Sequence, residues 1–219
     1  MKSRRILAVL LILCLGTGLV HAATTINISS FANQTWCPDF GNCSTLPFGK
    51  QTYNGIPFLI PGNANGTADN VWWANVAAGG GSSTVSITIP VNVAKVKTVY
   101  TLMNTTDGST ESGLLSITFT GSGGATWTVD PIGNINIRDY NNGSYTDSIA
   151  CHLPGIAGSF ATINAWTNGA DGQRLDEQIY ELPSSFKGQT LVSVTITDSG
   201  APGVQRSFIA ALTVSTALP

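Results

Sequence analysis

Apolar and polar residues alternate with a period of two through many short stretches of this chain, the spacing of a strand with one face turned to a core. Residues 84–89 place Val85, Ile87 and Ile89 on one face and are expected to stop at Pro90, and residues 191–197 do the same with Val192, Val194 and Ile196. Further strands are predicted at 23–28, 58–60, 71–73, 96–103, 114–120, 125–129, 134–140, 144–150, 160–167, 177–182 and 206–214. Turn-rich segments separate them, among them Asn54-Gly55-Ile56-Pro57, the glycine and serine run at 77–83 and the stretch 168–173. Helical signals reduce to single turns near 182–186 and 69–77. Many short strands at nearly regular spacing predict an all-β, antiparallel β-sandwich of jelly-roll type, its first and last strands paired in one sheet. The absence of a repeat of 20 to 50 residues disfavours a propeller or solenoid.

The N-terminus departs from this pattern. Lys2, Arg4 and Arg5 precede an apolar run from Ile6 to Leu15 that ends in small residues around His21 and Ala22. This is the layout of a secretory signal peptide over residues 1–22, with cleavage after Ala22 or Ala23. A membrane span would need about 20 apolar residues. The remainder, 23–219, is expected to form a single secreted, extracellular β-domain. It keeps seven Lys and Arg against twelve Asp and Glu, so nucleic acid and anionic membrane are not expected as partners.

Cys37, Cys43 and Cys151 follow the leader. The short loop between Cys37 and Cys43 favours a local disulfide in an oxidising compartment, with pairing of either to Cys151 as the alternative. His152 is the only histidine after the leader, so a nucleophile triad or a zinc site has one imidazole to draw on.

Chemistry concentrates in GNINIRDYNNG at 133–143 and QRLDEQIYEL at 173–182. Read as strands, the first puts Asn134, Asn136, Arg138 and Tyr140 on the face opposite Ile135 and Ile137. The second puts Arg174, Asp176, Gln178 and Tyr180 opposite Leu175, Glu177 and Ile179. Side by side, the two would join Arg138, Asp139, Arg174 and Asp176 in one network. That network reads either as a partly buried ion-pair cluster fixing strand register or as a sugar-binding floor. Of the tryptophans, Trp72 and Trp73 cannot both point inward from a regular strand, so one is expected near the surface, free to stack on a sugar ring. Trp127 and Trp166 read as core. The candidate ligand-binding set is therefore Trp72, Trp73, Asn136, Arg138, Asp139, Arg174 and Asp176. A glycan-active enzyme would instead pair Asp139 with Asp176 or Glu177 as acid and base. No cofactor is expected apart from a structural calcium, for which the Asn- and Asp-bearing stretches 63–70 and 104–111 are candidates.

The series YNGIPF at 53–58, VYTLMNT at 99–105, NIRDYNNG at 136–143 and RLDEQIYELP at 174–183 resembles secreted β-sandwich modules of the galactose-binding-like type, including carbohydrate-binding modules. The resemblance spans most of the chain after the leader. It implies a jelly roll that binds a polysaccharide or other glycan without transforming it, often with a structural calcium. A small extracellular glycan-active enzyme and a structural or adhesive surface protein without a small ligand are the alternatives.

Overall fold

The computed structural model describes residues 23–36, 46–141, 157–168 and 172–217. Cys37, Cys43, Cys151, His152 and the strand expected at 144–150 lie outside the described residues. The elements in chain order are β1 (Ala23–Ile26), β2 (Gly49–Tyr53), β3 (Ile56–Ile60), β4 (Trp72–Trp73), α1 (Ala74–Ala77), β5 (Val85–Ala94), β6 (Thr98–Asp107), β7 (Leu115–Gly121) and β8 (Thr126–Val129). They continue with β9 (Ser159–Thr167), β10 (Arg174–Glu181), a 3-10 turn (Ser184–Phe186), β11 (Thr190–Asp198) and β12 (Gln205–Ser215).

The fold is an all-β sandwich, antiparallel in each of its strand ladders. Sheet one runs β1-β12-β6-β10-β9, with β4 also on β12; sheet two runs β5-β11-β7-β8. The first and last strands pair, Ala23 opposite Ser215. Between the sheets, Ile87, Ile89, Ile117, Phe119, Val194 and Ile196 of sheet two meet Val99, Met103, Tyr180, Ile209 and Leu212 of sheet one. Each such side chain contributes about 1.5–3 kcal/mol through burial. The period-two alternation is the direct cause: the inward positions are aliphatic or aromatic and nearly all buried.

A third layer changes the character of sheet one. The β2–β3 hairpin turns at Asn54 (φ 48°) and Gly55 (φ 82°), the left-handed pair that an Asn-Gly hairpin turn requires. It lays Ile56, Phe58 and Ile60 over Tyr100, Leu102, Ile179 and Phe208 on the outer face of sheet one. Thr213 Oγ1 donates to the Pro57 carbonyl at 2.7 Å. Covered on both faces, β10 and β12 are buried along their whole length.

Two expectations are corrected here. Pro90 does not end its strand: β5 continues to Ala94 because it is an edge strand, where a missing N–H breaks no ladder bond. Residues 134–140 do not form an alternating strand. Asn134 adopts a left-handed φ of 63°, and Asn136 turns its side-chain oxygen back to accept from the Ile132 N–H. Ile135 is consequently 56% exposed while Ile137 is buried in the core, so the two do not share a face.

Past that turn the chain becomes a wedge. The β6–β10 ladder extends only from Glu177 opposite Leu102 to Glu181 opposite Thr98. Where it ends, residues 138–140 fill the gap: Thr105 N–H donates to Arg138 O at 3.0 Å, Tyr140 N–H to Thr105 O at 2.9 Å, and Arg174 N–H to Tyr140 O at 2.8 Å.

Candidate functional site

The two charged segments do meet, as a buried lock on the wedge. Arg138 Nε donates to Asp176 Oδ2 at 2.8 Å, and its Nη2 makes a second, short contact with Oδ1. Asn104 completes the arrangement, giving its amide to Asp176 Oδ2 and accepting from the Asp176 N–H, each at 2.9 Å. Asp176 is closed to solvent, and Arg138, Asp139 and Arg174 are buried nearly as deeply. Asp139 accepts from the Asn141 N–H at 2.7 Å, closing a local turn. Asn136 caps its own turn, and its carbonyl accepts from Thr162 Oγ1.

Neither tryptophan stands at the surface. Trp72 is buried between the sheets, while Trp73 packs partly buried on the opposite, outer face beneath the third layer. The alternation is as expected; the second face is simply covered too. Trp73 N–H donates to Asn33 Oδ1 at 2.8 Å, which fixes that backbone. Trp36, fully buried, packs edge-on against both Phe208 and Tyr140 at ring distances of 4.7 and 5.2 Å. Trp127 stacks on Phe119.

Glu177 occupies the outer face of β10, the side opposite Asp176. Burial pushes its carboxyl up to about 7, with the Asn54 amide, 2.9 Å away, partly lowering it. Tyr100 lies on the same face; burial first, and then the Glu177 charge, push its hydroxyl up to about 12. Of the two carboxylates considered as partners for Asp139, Asp176 is held by Arg138 and Asn104, and Glu177 faces the opposite layer beside Asn54.

In the stretches considered for calcium, Asn63 and Asn104 have partners within the protein. Asn63 Oδ1 accepts from the Thr67 N–H, Asn104 is committed to Asp176, and among the described residues no three His, Cys, Asp or Glu side chains converge.

What the surface does offer is a face of hydroxyls on sheet two. Thr88, Thr195, Thr118 and Thr128 form one row across all four strands; Ser86, Thr197 and Ser116 form the next. Ser193, Thr120 and Thr126 form the third row, with Pro90 at its end. The hydroxyls pair across strands: Ser86 with Thr197 at 2.8 Å, Thr88 with Thr195 at 3.0 Å and Thr118 with Thr128 at 2.9 Å. Sequence reasoning passed over this face because it scored only the apolar half of each alternation. The signal was present in the recurring Ser-Ile-Thr-Ile, Ser-Ile-Thr-Phe-Thr and Ser-Val-Thr-Ile-Thr.

Among the described residues, concavities lie at opposite ends of β6. One, of about 550 Å³, is polar and open, formed by Gly108, Ser109, Thr110, Asn134, Gly203 and Val204. The other, of about 370 Å³, is mainly apolar and lies between residues 95–97 and 182–188.

These features define a class: an antiparallel β-sandwich with a third layer over one sheet and a neutral hydroxyl surface on the other. No known family matches the chain, and no curated protein matches it in sequence. Among the described residues no helix is long and apolar enough to cross a membrane.

Proposed function

We propose that this chain is an exported, non-catalytic protein that binds a polysaccharide through the hydroxyl face of sheet two. The observation that carries the reading is the uniformity of that face: in three rows every outward position except Pro90 is Ser or Thr. A hydroxyl both donates and accepts, so the array matches the hydroxyls of a glycan in either sense. It has no charge to desolvate. The rigid sheet also presents its groups without an ordering cost at binding.

The resemblance to galactose-binding-like modules points the same way but relocates the contact, since Trp72, Arg138 and Asp176 are occupied inside the protein. The enzyme reading pairs Asp139 with Asp176 or Glu177; all three carboxylates are buried, and Asp176 is committed to Arg138 and Asn104, which favours the binding reading.

The test is retention on a panel of insoluble and immobilised polysaccharides, comparing the protein with the triple variant T88V/T118V/T195V, whose valines keep shape and strand propensity. Retention of the parent and its loss in the variant, with no sugar released, is the expected result. Equal retention of both would remove the hydroxyl face from the mechanism, and released sugar would put the enzyme reading in its place.

A further inference from the structure

The positive charge of this protein is distributed unevenly. Arg138, Arg174 and Arg206 are all buried. The cations left for the surface after the leader are Lys50, Lys95, Lys97 and Lys187. Three of these four surround a single pocket.

That pocket has apolar walls of Val96, Leu182, Pro183 and Phe186. Val96, Leu182 and Phe186 belong to the core between the sheets, so the pocket floor is one end of that core. Its backbone is held from several directions. Lys97 N–H donates to Ser215 O at 2.9 Å, Leu182 N–H to Lys97 O at 2.8 Å and Lys95 N–H to Gln189 O at 2.8 Å. The three lysine side chains are exposed, and none has a carboxylate partner among the described residues. In a chain with an acidic balance, free ammonium groups around an apolar mouth form a local inversion of both charge and polarity.

We infer that this pocket binds a small amphipathic anion, an apolar tail with a single anionic head. The tail displaces water from Val96, Leu182 and Phe186, and the head sits among the ammonium groups of Lys95, Lys97 and Lys187. The volume of about 370 Å³ falls in the range of small-ligand sites rather than of protein docking surfaces. The site lies at the end of β6 away from Asn134 and does not involve the hydroxyl face, so it stands or falls separately from glycan binding.

Decanoate is a suitable probe, titrated below its micelle concentration by calorimetry into the protein beginning at Ala23. Decyl alcohol and acetate separate the two halves of the ligand, and phosphatidylglycerol vesicles separate a free ligand from a lipid surface. Saturable decanoate binding, at least roughly tenfold tighter than decyl alcohol and undetectable for acetate, is expected, weakening as salt screens the lysines. The variant K95Q/K97Q/K187Q, altered only at exposed positions and checked for folding by circular dichroism, should lose at least roughly tenfold in decanoate affinity, since each glutamine keeps bulk and removes charge. Equal affinity for the alcohol, unchanged binding by the folded variant, or adsorption to vesicles with no binding of free decanoate would each overturn the inference.

Discussion

Arg206 donates from Nη1 to Asp198 Oδ1 at 2.7 Å, with both side chains sealed from solvent. Asp198 closes β11 in sheet two and Arg206 is the second residue of β12 in sheet one, so this pair joins the two sheets at one end. The same carboxylate accepts from the Ser207 N–H and Oγ, each at 2.7 Å, and from the Gly200 N–H at 3.0 Å. Arg206 also reaches the Gly81 and Ser83 carbonyls. Replacing Asp198 with Asn leaves a buried guanidinium charge without its counterion, at a cost of about 3–5 kcal/mol. The check is the urea midpoint, which should fall with little change in the denaturant slope.

Glu177 should make stability fall as pH rises. Its carboxyl stands at about 7 in the folded protein against an ordinary 4.5, so between those values the native state holds a proton that the unfolded chain has lost. Stability is therefore highest with respect to this group below about pH 4.5, declines through the interval, and levels off above 7, by roughly 3 kcal/mol in all. Glu177→Gln keeps an oxygen for Asn54 and cannot ionise. Its melting temperature should match the parent near pH 4.5 and exceed it at pH 8. A constant difference across that range would place the effect elsewhere.

The lock on the wedge makes a third prediction. Asp176→Asn weakens two charge-assisted bonds from Arg138 inside the protein and should cost about 3–5 kcal/mol, while Arg138→Leu with Asp176→Leu should cost less than the sum of the single changes to Leu. A double-mutant cycle by chemical denaturation measures the coupling. Additive costs would mean that the two side chains act independently in holding residues 138–140 in place.

Much of the architecture was legible because its carriers are local. Val85, Ile87 and Ile89, or Val194 and Ile196, announce a strand without reference to anything distant, and Asn54-Gly55 announces a hairpin; the expected shared face of Val192 with Val194 and Ile196 is broken by a bulge at 191–193 that gives the core Leu191 instead. The wedge was not legible, since Ile135 and Ile137 alternate as in a strand. What decides their fate is a left-handed Asn134 and the return of the Asn136 side chain to Ile132. Trp73 and the outer-face residues of β10 were misplaced for a different reason. Their exposure depends on the β2–β3 hairpin folding over sheet one, a contact between segments more than a hundred residues apart for β10. Such layering leaves no mark in the periodicity of the covered strand, because polar residues can be buried wherever partners such as Asn104 and Arg138 wait for them.

Pro90 lies on β5, one of the two edge strands of sheet two, opposite Ser193. Two residues on, Asn92 takes a φ of 55° where the register slips. A proline that cannot donate, followed by a kink, spoils this border as a template for a strand from another molecule. Copies of the protein brought close together would thus find, along this border, a seam that refuses to zip.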